Sequence, residues 1–141
     1  MPPLRSSITW VAKAVYAVLL IAAALSPAQC RELADAAHGL GLEILLEIHR
    51  EEELEYVSPE MDMVGINNRN LTTFETDIYT SFRLASQVPV ACLKVAESGI
   101  RAMETVVALR RLGFRGFLIG EHFMREAQPA QALKNFVGYA D

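Results

Sequence analysis

"CLKVAESGIRAMETVVALRRLGFRGFLIGEHFMR", residues 92–125, decides the fold, because it reads as the same unit twice. Cys92–Ala96 is a short apolar run of strand type, Ser98-Gly99 is a turn, and a helix follows near Ala102–Leu112. Gly116–Gly120 is a second run, followed by a short helix near Glu121–Arg125. A run such as Phe117-Leu118-Ile119, apolar without alternation, fits a parallel strand covered on both faces. The same alternation continues outward in both directions. Met63–Asn67 is a strand, with a helix from about Asp77 to Ser86 after a polar loop. Glu43–Ile48 is another, with a short acidic helix around Glu51–Tyr56. Val18–Ala22 leads into a helix from about Pro27 to His38, with Leu33, Ala36 and Ala37 on one face and Gly39 and Gly41 at its end. A last helix runs from about Pro129 to Phe136. Strands alternating with helices at this spacing mean parallel βα units, an α/β fold. Five such units fit either a flavodoxin-like open sheet or part of a (βα)8 TIM barrel.

The bulk properties narrow the function. A chain of 141 residues is one domain with a real core, and 52% hydrophobic with 21% charged residues is globular composition. The net charge is −4 and the basic residues are scattered, which excludes a nucleic-acid footprint and makes any phosphate site a local one. Cys30 and Cys92 are far apart, each in an apolar segment, with no Cys/His ligand spacing nearby; they read as buried free thiols in a reducing cytoplasm, and no metal is expected. Ala14–Leu25 has two readings. With Arg5 ahead of it, it has the outline of a secretory signal core, although it is too short to span a membrane. It also reads as a buried strand followed by Ser26 as helix N-cap and Pro27 as first helical residue.

In either architecture, chemistry collects at the carboxyl ends of the strands. Glu47 lies within an apolar strand, where an unpaired carboxylate is costly to bury and its pKa is expected to rise, as suits a general acid or base. The structural alternative is an inward Glu paired with an Arg or Lys. His49, two residues on, reads as a rim residue or as one that supports the site from behind, rather than as a catalyst. Asn67 and Arg69 alternate at the end of the third strand and so share a side, where an amide and a guanidinium suit a carboxylate or hydroxyl. Asn68 and Asn70 are accounted for by Asx turns. Glu97, Ser98 and Gly99 follow the fourth strand, and Gly120, Glu121 and His122 the fifth. Gly between a strand and a helix lets backbone N–H groups approach a phosphate, and two such loops on consecutive final units match the usual phosphate position of barrels. Each alone is equally an ordinary strand-exit turn.

Five segments carry a resemblance. VLLIAAALSP (18–27), LLEIHREEEL (45–54), MVGINNRNLTTFETD (63–77), KVAESGI (94–100) and GFLIGEHFMR (116–125), in this order and spacing, closely resemble indole-3-glycerol phosphate synthase of tryptophan biosynthesis. The resemblance covers about residues 15–137 and favours the barrel strand over the signal for Val18–Ala22. It implies a (βα)8 barrel, acting as a carboxy-lyase on 1-(2-carboxyphenylamino)-1-deoxyribulose 5-phosphate with loss of CO2 and water and without metal or organic cofactor. It implies that Glu47 takes part in proton transfer during dehydration, that Asn67 contacts the substrate with Arg69 beside it, and that Glu97 is the adjoining carboxylate. Ser98, Gly99, Gly120 and the backbone of Glu121 would hold the phosphate. Other phosphate-binding barrels, of the phosphoribosylanthranilate isomerase or tryptophan synthase α type, share the final loops but are not expected to carry GINNRNL after LLEIH.

The match is to the fourth to eighth strands of that family only. The family's first strand brings a Glu and a Lys, and its third brings a general-acid lysine; here Pro3-Leu4-Arg5 is followed by Ser6, which cannot supply a cationic acid. The chain is therefore expected to be a truncated or frameshifted member, with a divergent segment at residues 1–14 and one barrel-like domain over 15–141. Unpaired strand edges and an uncovered interior would favour self-association or a complementing N-terminal fragment. The phosphorylated substrate is the expected small-molecule partner; no nucleic acid or membrane partner is expected, and the location is cytoplasmic. The reading from a different class is a non-catalytic remnant that binds ligand or a partner chain.

Overall fold

The computed structural model describes residues 16–138. The divergent segment expected at 1–14, with Ser6, lies outside the described residues. Five parallel strands form one sheet: β1 (Ala17–Ile21), β2 (Glu43–Ile48), β3 (Met63–Asn67), β4 (Leu93–Glu97) and β5 (Phe114–Leu118). Their spatial order is the chain order, without reversal. A doubly wound open sheet reverses direction and so places helices on both faces. Sequential order does not, and it is the arrangement of a barrel arc. This resolves the alternative left open by the sequence in favour of the partial TIM barrel.

The helices α1 (Pro27–Gly39), α2 (Tyr79–Leu84), α3 (Met103–Arg111), α4 (Glu121–Met124) and α5 (Pro129–Gly138) complete the units. α1 starts as its sequence predicts. Ser26 accepts the Gln29 N–H, the Gln29 side chain accepts the Ser26 N–H, and Pro27 is the first helical residue. Its end turns through Gly41 at φ 77°, a conformation that favours glycine. The segment Glu51–Tyr56 is a 3-10 turn rather than an α-helix. The expected Asp77–Ser86 helix is shorter, with α2 passing into a 3-10 turn at Ala85–Gln87.

Alternation along the strands sorts side chains onto two faces. Ile44, Leu46, Ile48, Val64, Ile66 and Ala96 are all 0% exposed and lie under the helices. Burying such side chains stabilises by about 1.5–3 kcal/mol each, so the helix-side layer holds the arc together. The concave face is different. Leu19, Leu93 and Leu118 are 48%, 42% and 49% exposed. The sequence reading that the last strand is covered on both faces fails here, because the described residues provide no opposite wall.

Two further offsets have physical causes. α1 buries Cys30, Ala34 and Ala37, whereas Leu33 is exposed and Ala36 does not face the core; the small residues let the helix lie close to the strands. β5 begins at Phe114 rather than Gly116, because the ladder slips between Lys94 and Val95 and passes over Arg115. The register then pairs Val95 with Gly116, where an added Cβ would lie 3.0 Å from a Val95 methyl. Both cysteines are free and buried, and burial pushes their thiol pKa values up.

Candidate active site

The strand register builds one polar wall. Asn67 on β3 pairs with Glu97 on β4, and Glu47 on β2 pairs with Gly65 two residues earlier on β3. Glu47, Asn67 and Glu97 therefore share the concave face at its carboxyl end. Gly65 makes room for them: a Cβ there would stand 2.2 Å from Glu97 Oε2 and 3.3 Å from Leu45 Cδ1. The sequence reading passed over this glycine. A glycine inside an apolar strand was the available signal, since it marks a close approach.

The two carboxyls divide their roles by environment. Glu97 is 5% exposed, and its Oε2 has no hydrogen-bond partner. Burial first, then the nearby Glu47 charge, raises its pKa to about 8. Glu47 is 6% exposed as well, but its pKa is lowered. The adjacent His49 imidazole is the main cause, and burial opposes it; the neighbouring Glu97 and Asn67 side chains add to the lowering. The sequence reading that burial would raise Glu47 is thus reversed. Desolvation acts on both groups, but only Glu47 has an imidazole at its back. Their surroundings thus favour the neutral form of Glu97 and the charged form of Glu47. Of the two sequence readings of His49, the structure favours the supporting residue over the rim residue: its side chain is 6% exposed, with Nε2 3.2 Å from Glu47 Oε2.

The loop after β3 carries the neighbouring groups. Asn67 Oδ1 accepts the Arg69 N–H at 3.0 Å, and Asn70 Oδ1 accepts those of Thr72 and Thr73 at 2.8 and 3.0 Å. Asn70 is the Asx turn the sequence suggested. Asn68 is not a surface turn. It is 3% exposed, accepts from the Ser81 N–H and hydroxyl, and donates to the Ser98 carbonyl. It ties β3 to α2 and to the loop after β4. Arg69 reaches across to the Glu121 carboxylate, which Arg125 holds from its other side. Those guanidiniums, Arg69 first, lower the Glu121 pKa.

Ser98 and Gly99 follow β4 with φ of 69° and 74°. At Gly99 a Cβ would also crowd the Thr76 Cβ at 3.0 Å, so both space and conformation require glycine. Ser98 holds the left-handed conformation with a side chain, at a cost on the order of 1–2 kcal/mol. Gly120 precedes α4 with ordinary backbone angles, and a Cβ there would meet only Met124 at 3.7 Å. Every residue singled out from the sequence as catalytic or phosphate-binding lines one cleft of about 480 Å³: Glu47, Asn67, Arg69, Glu97, Ser98, Gly99, Gly120 and Glu121. Among the described residues no group of three His, Cys, Asp or Glu side chains is placed to hold a metal ion, and no helix is long and apolar enough to cross a membrane.

Comparison with known proteins agrees with this arrangement. The family model described as indole-3-glycerol phosphate synthase matches residues 9–136. Curated relatives with the same description include the following three. That of Bacteroides thetaiotaomicron is 60% identical over 121 residues, covering 86% of this chain and 46% of the relative. That of Salinibacter ruber is 49% identical over 118 residues, covering 83% and 44%. That of Magnetococcus marinus is 45% identical over 123 residues, covering 86% and 46%. The chain spans about half the length of the curated relatives it matches. On the family match over most of its residues, and on a barrel arc that carries the matching motifs in one cleft, the chain belongs to the indole-3-glycerol phosphate synthase family.

Proposed function

We propose that this chain carries one wall of an indole-3-glycerol phosphate synthase active site, the carboxyl half of a carboxy-lyase of tryptophan biosynthesis. The substrate is 1-(2-carboxyphenylamino)-1-deoxyribulose 5-phosphate, closed to indole-3-glycerol phosphate with loss of CO2 and water, without a cofactor and in the cytoplasm. The observation that carries this reading is the pair of buried carboxyls on one face of the cleft with Asn67, the pKa of Glu97 raised and that of Glu47 lowered by their surroundings. Two titratable groups pushed apart by their surroundings are what acid–base chemistry near neutral pH requires.

Each group has a role in the proposal. Glu47 takes the proton released during dehydration. Glu97 donates a hydrogen bond from its protonated carboxyl and keeps the charge of the pair at one. Asn67 holds a substrate hydroxyl or carboxylate, and Arg69 contributes positive charge beside it. The backbone of Ser98, Gly99, Gly120 and Glu121 cradles the phosphate. The Glu121 carboxylate is unfavourable to an anion there, and its pairs with Arg69 and Arg125 offset that charge.

The cationic general acid belongs, on the family resemblance, to an earlier strand. Loss of a positioned general acid costs about 10²–10⁴ in rate, so the chain alone is expected to turn over slowly or not at all. The exposed Leu19, Leu93 and Leu118 of the concave face support a second element of the proposal. A fragment carrying the family's first three βα units, or a second copy, covers this face. The test is fluorescence-monitored formation of indole-3-glycerol phosphate by the chain alone and with that fragment added. Activity that appears only with the fragment supports the reading. Association without activity supports the second reading, a non-catalytic half-barrel that binds a partner.

A further inference from the structure

The geometry points to His49 as the positioning residue of Glu47: seated between the Glu47 and Glu53 carboxylates, it donates from Nε2 and turns Glu47 toward the cleft. Residues 47 and 49 share a side of the extended chain at the end of β2, so the imidazole stands directly behind the carboxylate. Nε2 is 3.2 Å from Glu47 Oε2, and Nδ1 is 3.7 Å from Glu53 Oε1. The three side chains are buried, at 6%, 9% and 4% exposed for His49, Glu47 and Glu53.

Glu53 is itself fixed. Its Oε1 accepts the backbone N–H groups of His49 and Arg50 at 2.7 and 3.2 Å, closing the 3-10 turn onto the strand end. Glu53 therefore cannot follow the ring, and the ring is held against Glu47. Neither ring nitrogen has a hydrogen bond of good geometry, and Glu53 Oε2 has none. A buried N–H left without an acceptor is costly. The nearby acceptors are these two carboxylates, and the nearer belongs to Glu47. The remaining charges around the adjoining groove are Arg50 and Glu51 on the same loop, with Arg69, Glu75, Asp77 and Arg83 from the loop after β3 and from α2. Glu97, on β4, is a further charged neighbour of Glu47. The sequence reading placed His49 near the site without a defined task and passed over Glu53.

The inference rests on the proposed role of Glu47 for its consequence, but its test needs no substrate and no turnover. The experiment is a carboxyl 13C NMR titration of the isolated chain, comparing wild type, His49→Leu and His49→Gln. Wild-type Glu47 is expected to titrate below its ordinary 4.5. His49→Leu, which fills the space but cannot donate, is expected to raise that midpoint by about 1 pH unit or more. His49→Gln, which restores a donor, is expected to bring it back toward wild type. A ring that merely packs predicts no shift with leucine, and that result overturns the proposal. If the leucine variant does not fold, 15N shifts of the wild-type imidazole decide. Nε2 carrying its proton at pH 7 supports the proposal, and a bare Nε2 overturns it. Failure of the turnover assay leaves these readings intact, so the two hypotheses fail separately.

Discussion

Replacing Glu97 with Gln should remove an alkaline loss of stability from this chain. In the folded protein Glu97 is 5% exposed and titrates near 8, whereas its ordinary value is 4.5. Between those values the folded state keeps a proton that the unfolded chain has released. Stability from this group is therefore complete below about 4.5 and falls as pH rises through 8. At ~1.4 kcal/mol per pH unit, the full span corresponds to about 5 kcal/mol as an upper limit. Glu47 has the opposite sign. Its lowered pKa gives stability that is present above 4.5 and lost as pH falls below it. The two carboxyls together place maximal stability in mildly acid solution. Gln has the shape of the neutral carboxyl and cannot ionise, so the alkaline limb should disappear while the acid limb remains. Urea unfolding followed by circular dichroism at pH 5, 7 and 8.5 measures this, below the range in which the raised thiols of Cys30 and Cys92 ionise. Wild type should lose on the order of 2–5 kcal/mol from pH 5 to 8.5, and Glu97→Gln less than about 1. Parallel curves for the two proteins would refute the assignment of the proton to Glu97.

Other substitutions test the frame around the pair. Asn68→Ala removes three hydrogen bonds, two of them buried, and strands the Ser81 hydroxyl, so urea unfolding should show a loss of about 2–4 kcal/mol of stability. Asn70→Ala, at an exposed turn, should cost less than about 1 kcal/mol in the same measurement. Gly65→Ala places a methyl against the Glu97 carboxyl and should destabilise by about 1–3 kcal/mol, with most of the loss recovered in the Gly65→Ala, Glu97→Ala double variant. Cys30 and Cys92 should react with a thiol reagent at the rate of unfolding rather than at that of exposed thiols, which mass spectrometry of a time course resolves.

What the sequence made legible was the part governed by local periodicity. Apolar runs alternating with amphipathic stretches identified all five strands, because each strand is short and all but β1 run into a glycine or polar turn. Strand order was not legible: a βα unit looks the same in an open doubly wound sheet and in a barrel until its neighbours are known. The α1 face was misjudged because Leu33 and Ala34 offer no contrast that shows which side meets the sheet. The start of β5 was misplaced because a slip in the ladder is a property of two strands, not one. At the site, every chosen residue reached the same cleft, since strand ends converge by construction. The protonation of the carboxyl pair was reversed for the same reason that strand order was hidden. It depends on what stands beside each group, and only Glu47 has His49.

The position of these groups on strands rather than on loops bears on how the half site behaves. Glu47, Asn67 and Glu97 are spaced by the sheet ladder, and the ladder is anchored by the fully buried helix-side layer. Covering the concave face therefore has little to reposition on this wall. What covering changes is the medium. Excluding water from the cleft strengthens each charge interaction there, so it should raise Glu97 further through the Glu47 charge and tighten the Glu121 pairs with Arg69 and Arg125. A partner that closes the arc thus acts on this wall mainly through its electrostatics.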